Sequence, residues 1–208
     1  MRTALLVLLL SLAGAGATAQ TSEAANYQII VNGKLQDVAL GEEYKIRLAS
    51  GEEVTVAVKQ KDVLTYQDDW ISLQYPKGLH PALSTPDPDL EQIALVTANG
   101  NGFLVQKYKT VNPAELVDLV LKEMTNEEVS FGYSITEQPF ERKLKSGQQV
   151  KGKLVQLKYG SDVQQYTVAA LGGDNGGIMF VTMLNTEYNH DDNKVIQLFL
   201  DSLAYSRN

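Results

Sequence analysis

YSITEQPFERKLKSGQQVKGKLVQLKYGSDVQQYTVAALGGDNGGIMFVTML, residues 133–184, decides how this chain is built. Its apolar and β-branched residues come in short runs at 133–138, 140–144, 150–159, 164–171 and 178–184. Ser146-Gly147, Gly160-Ser161-Asp162 and the glycine-rich Gly172 to Gly177 punctuate them. Runs of this length, bounded by turn residues, predict strands.

On the N-terminal side, Asn112-Pro113-Ala114-Glu115 reads as a helix start. Asn caps, Pro takes the first helical position and Glu115 can close a capping box. Leu116, Val117, Val120, Leu121 and Met124 follow at helical spacing, with Glu127-Glu128 placed just past the end. Before it, Ile93 to Thr97 and Phe103 to Tyr108 flank Asn99-Gly100-Asn101-Gly102, a hairpin. Trp70 to Tyr75 is a strand, and Pro76 to Pro88, with four of the six prolines, is a loop. Residues 27–60 read as a small antiparallel meander. Asn32-Gly33 is its tight turn, and alternation at Tyr44, Ile46, Leu48 and at Val54, Val56, Val58 marks its strands. At the other end, Val195, Leu198, Phe199 and Leu203 share one face of a final helix, with Asp191 and Asp192 near its N-terminus. Strands, helix, strands, helix is an α+β order: an antiparallel β-sheet with helices packed on its faces, plus the N-terminal β-meander. Strand and helix do not alternate, which excludes a Rossmann-like parallel sheet.

The first residues carry an address. Arg2 precedes the apolar run Ala4 to Leu12, and Ala17-Thr18-Ala19 is a small-x-small cleavage site. The run is shorter than the roughly 20 residues a spanning helix needs. The expectation is a signal peptide over residues 1–19, cleaved after Ala19, a β-rich extension over 20–66, and an α+β domain over 67–208. The mature chain is then periplasmic or secreted, with no integral membrane segment. With no cysteine anywhere, disulfides, thiolate catalysis and Cys-ligated metals are excluded. A net charge of −7 argues against a general nucleic-acid binder.

Each motif with a chemical reading also has a plain one. Gly172 to Gly177 is followed by strand residues and holds no Lys, so a hairpin turn suits it better than a phosphate cradle. Asp191-Asp192-Asn193 beside His190 lacks calcium-loop spacing. Asp87, Asp89 and Glu91 read as a solvated acidic loop. His80 and His190, the only histidines, do not supply the three or four ligands of a zinc site. The pairs Glu42-Glu43, Glu52-Glu53 and Glu127-Glu128 sit at turns and point to water, and Ser202 and Ser206 lie at the end of the final helix. Trp70, Tyr75 and Tyr108 serve either an interface or a half-buried sheet face. No catalytic residue, metal ligand or cofactor is assigned, and the ligand-binding residues stay unknown.

From Trp70 to Asn208 the element order resembles the superfamily that includes the photosystem II extrinsic subunit PsbP and a Ran-binding nuclear transport factor, in its exported bacterial branch. The carrying features are Tyr75-Pro76-Lys77-Gly78-Leu79 after an aromatic-aliphatic strand, the hairpin from Ile93 to Tyr108, the helix from Pro113, and a final helix ending in Leu203-Ala204-Tyr205-Ser206. The resemblance implies an antiparallel sheet sandwiched by helices, α/β/α, and accessory or adaptor roles instead of catalysis. The functional expectation is an exported, soluble, non-enzymatic accessory protein that binds a protein partner in the cell envelope. Two alternatives stay open: a carrier of a small apolar ligand lined by Phe180, Met183 and Phe199, and a hydrolase with an unrecognised carboxylate pair.

Overall fold

The computed structural model describes residues 25–207, with the side chains of 188–190 outside that description. The expected signal peptide over 1–19 and its cleavage point lie outside the described residues. The chain divides into two compact units, one up to Gln60 and one from Lys61.

In the first unit, β1 (Tyr27–Val31) and β2 (Lys34–Val38) form a hairpin, and β3 (Glu43–Arg47) and β4 (Glu53–Ala57) form another. Asn32 and Gly33 both have positive φ, 50° and 78°, as the two-residue turn demands. The expected continuous meander is not formed: β2 and β3 share no ladder, and the hairpins are separate two-stranded sheets. A single parallel bridge, Leu40 to Val58, and the Tyr44 hydroxyl accepting from the Ala39 amide at 2.7 Å fix the chain between them. The short segment after Val38 needs its polar groups at those positions, which leaves no ladder to extend.

The second unit contains β5 (Val63–Gln67), β6 (Ile71–Pro76), β7 (Ala82–Asp87), β8 (Leu90–Val96), β9 (Gly102–Tyr108), α1 (Val117–Ser130), β10 (Ser134–Lys143), β11 (Gln149–Tyr159), β12 (Asp162–Gly173), β13 (Gly176–Asn185), α2 (Asn189–Ser202) and β14 (Ala204–Tyr205). Seven strands make one antiparallel sheet in the order β10-β11-β12-β13-β9-β8-β7. A smaller sheet, β14-β6-β5, accompanies it. The central strands alternate between two cores. Phe103, Val105, Ala169, Ile178 and Phe180 face α2 and Ile71 and Leu73 of β6. Val168, Ala170, Met179 and Val181 face Val117 and Leu121 of α1. Fully burying the Val, Ile, Leu, Met and Phe side chains among them contributes about 1.5–3 kcal/mol each.

This corrects the expected fold. The α/β/α sandwich is not formed: among the described residues 54% are strand and 18% helix, with two helices beside a seven-stranded sheet. Seven strands about 4.8 Å apart span roughly 30 Å. One helix about 10 Å across shields only two or three of them, so neither face carries a helical layer. Three local readings change with it. The loop over Pro76 to Pro88 contains β7, an exposed edge strand where Pro86 lacks no ladder partner it needs and the register breaks between Ser84 and Asp87. The first helix runs on through Glu127 and Glu128 to Ser130. The second stops at Ser202, and Ala204-Tyr205 pairs with β6 as a strand.

Candidate functional site

The residues singled out in the sequence are not gathered at one place. Gly172 to Gly177 close the β12–β13 hairpin, with Gly173 opposite Gly176 and Asp174-Asn175 as the turn. The glycine at 172 serves close packing: a Cβ there would stand 2.4 Å from Pro113 Cδ. His80 is exposed, and the His190 side chain lies outside the described residues. Among the described residues no group of three His, Asp or Glu is placed to hold a metal ion. Asp87 accepts from the Asp89 amide at 2.9 Å, while Glu91 turns away to Lys107 and Lys109. Phe180 and Phe199 are fully buried and pack edge to face at 5.6 Å, and Met183 belongs to the opposite core. They line no common cleft. Trp70 lies under the Arg207 guanidinium at 3.9 Å and beside Tyr205, on the α2 side, whereas Tyr108 packs on the α1 side.

The sequence reading passed over three recessed polar groups. Lys107 follows Phe103 and Val105 on the inward face of β9 and is 5% exposed. Its ammonium donates to Asp68 Oδ2 at 2.8 Å and lies 2.5 Å from Glu91 Oε2. Burial works against that charge, but the two carboxylates outweigh it and hold the ammonium above its usual pKa. A lysine so held stays protonated and is no nucleophile. Asp68 also accepts from the amides of Trp70 and Ile71 and from the Tyr66 hydroxyl. Burial would raise its pKa, and Lys107 with these donors brings it below the usual range. The signal in the sequence was the parity: a lysine at an apolar strand position needs a buried partner.

Asp192 in the first turn of α2 is the second group. Its Oδ2 accepts from Thr97 Oγ1, Asn99 Nδ2 and Asn101 Nδ2 at 3.0, 3.0 and 2.7 Å. Asn101, 1% exposed, also accepts from the Asn185 amide at 2.6 Å. The knot ties the β8–β9 turn to α2 and β13. Burial opposes the charge on Asp192, and the three donors prevail and lower its pKa. The third group is Asp162, lowered chiefly by the Tyr133 hydroxyl, with Gln164 and Asn185 adding to it against burial. Nearby, burial and then the charges of Glu128 and Asp162 push Tyr166 up to about 12. Glu128 does not point freely to water as expected of its pair, because its Oε2 is shielded without a hydrogen bond. A general acid working near neutral pH needs a raised carboxyl pKa. All three recessed aspartates are shifted the other way.

One surface stands out for its apolar exposure. At the C-terminal end of α1, Val129, Phe131, Ile135 and Tyr159 are exposed by 42%, 70%, 42% and 59%. Val129 and Ile135 border a groove of about 270 Å³ between α1 and the β10–β11 pair. The Tyr133 and Tyr159 rings meet at 5.4 Å beside them. Lys153 bridges Asp118 and Glu137 across the groove at 2.8 and 3.0 Å. The helix ends here because Phe131 and Gly132 turn the chain back into β10. Gly132 adopts φ 101°, which places Phe131 at the corner with little to pack against. No helix among the described residues is long and apolar enough to cross a membrane. No family model matches the sequence, and a comparison with curated proteins found no match.

Proposed function

We propose that this chain is an exported, non-enzymatic accessory protein that works by binding another protein in the cell envelope. The observation that carries the reading is the ridge of Val129, Phe131, Ile135 and Tyr159, four exposed apolar side chains at the end of α1 and on the adjoining β10–β11 pair, of which Val129 and Ile135 border one groove. Clustered exposure of this kind marks interaction surfaces, and aromatic residues dominate their energetics. The downward-shifted aspartates and Lys107, whose pKa the two carboxylates raise, favour a scaffold over a catalyst. The leader pattern at residues 1–19 supports export, and the PsbP-like element order over residues 70–208 points to the same class of role.

The test is site-specific photocrosslinking in the native host. A crosslinker at Phe131 is expected to trap one discrete species, and one at exposed Asp174, in the β12–β13 turn, is expected not to. Adding Ile135→Asp should abolish the adduct while leaving the melting temperature unchanged. Equal adducts from both sites, or an adduct indifferent to Ile135→Asp, would refute the reading.

A further inference from the structure

The N-terminal unit holds a second surface that the apolar ridge does not explain. A cleft of about 380 Å³ lies between its two hairpins. It is lined by Val31 and Asn32 at the tip of the first hairpin, by residues 34–36 of β2, and by residues 45–49, which begin on β3. A strand that turned a face to the cleft would contribute every second residue. Consecutive residues of both strands border it, so residues of both parities contribute. Among the described residues β2 pairs only with β1 and β3 only with β4, so the other edge of each makes no ladder there.

The two outer edges of the seven-stranded sheet are treated differently. β7 carries Pro86 and a register break, and β10 carries Pro139. Both features blunt an edge against pairing. KLQDV of β2 and EYKIR of β3 contain neither proline nor glycine. The charges around the cleft are also one-sided. Lys34, Lys45 and Arg47 line it and no carboxylate does, in a chain of net charge −7. Lys45 reaches Glu53 at 3.4 Å, and among the described residues Lys34 and Arg47 have no ion pair. Leu35 and Ile46 add apolar surface between them.

We infer that this cleft receives an extended acidic peptide segment of another protein, which enters between β2 and β3 as an added strand. Its main chain pairs with both free edges, and alternate acidic side chains meet Lys34, Lys45 and Arg47. Insertion converts two hairpins, each marginal alone, into one five-stranded sheet. The same cations repel a basic strand, so they select the partner as well as attract it.

The experiment is an amide-shift titration of the full chain with a peptide of about eight residues alternating Glu and Val, slightly longer than the strands it pairs with. Saturable shifts confined to residues 34–36 and 45–49 are expected, and affinity should fall about tenfold or more with Lys34→Glu plus Arg47→Glu. A version with proline at alternate positions should not bind, because it lacks the ladder donors. Absence of saturable shifts, equal binding of a Lys/Val peptide, or binding only to vesicles of anionic phospholipid would overturn the proposal. Should the double variant lose its hairpins, the proline and Lys/Val peptides on the unaltered chain decide the matter.

Discussion

Replacing Lys107 by methionine removes the one cation held between Asp68 and Glu91 and keeps the volume of its stem. Breaking a buried ion pair by deleting one partner costs about 3–5 kcal/mol. Two features of this site reduce that figure. The Glu91 side chain is 36% exposed and can be rehydrated. Asp68 keeps its bonds from Tyr66, Trp70 and Ile71. The expected loss is therefore about 2–3 kcal/mol, or a melting temperature lower by about 5–10 °C for a domain of this size. The lone tryptophan, Trp70, donates its amide to Asp68 at 2.8 Å, so urea unfolding followed by its fluorescence reads the second unit directly. The pH dependence identifies the cause. Asp68 and Glu91 have lowered pKa values, so their stabilisation is present above their unfolded pKa values near 4 and is lost as pH falls through the folded ones. Lys107 has a raised pKa, so its share persists up to its unfolded value near 10.4 and is lost as pH rises through the folded one. The gap between parent and variant should be constant from pH 5 to 9 and narrow below about pH 4. An unchanged urea midpoint, or a gap of the same size at pH 3 and pH 7, would refute the argument.

Two further substitutions test other joints. Asp192→Ala strands three donors, one of them on buried Asn101, and is expected to cost about 3 kcal/mol and to speed amide exchange at residues 97–101; unaltered exchange there would show that the knot does not hold the turn. Gly172→Ala drives a Cβ to within 2.4 Å of Pro113 and should cost about 1–3 kcal/mol, whereas Gly173→Ala meets nothing within 4 Å and should stay within about 0.5 kcal/mol, a contrast that urea midpoints measure.

Much of the strand pattern was legible because it is local. Period-two alternation, Asn32-Gly33 and the glycines around Asp174-Asn175 announce hairpins with neighbours in sequence, and the ladders from β10 to β13 follow. Asn112 does cap, but what it caps is a 3-10 turn over Pro113–Leu116 that leads into α1 at Val117: its side chain accepts from the Ala114 amide at 3.2 Å. Glu115 takes the Asn112 side-chain amide at 3.1 Å, so the expected reciprocal capping box is replaced by a side-chain pair. β5 was missed because VLTYQ is short and follows a polar stretch, and β7 because proline reads as loop until an edge position makes its missing donor harmless. The candidate site was less legible. The recessed groups pair across 39, 93 and 29 positions in Lys107–Asp68, Asn99–Asp192 and Tyr133–Asp162, and no local period encodes such separations.

Composition, periodicity and turn chemistry alone determined that this is an acidic, cysteine-free chain dominated by antiparallel hairpins, since those properties depend on residues a few positions apart. Only the tertiary structure decided which strands are central and which are edges, and therefore which charges are buried in pairs. It also decided which backbone edges and apolar side chains face water. Those outcomes come from how strands far apart in sequence order themselves in one sheet, and the burial of each side chain follows from its neighbours there.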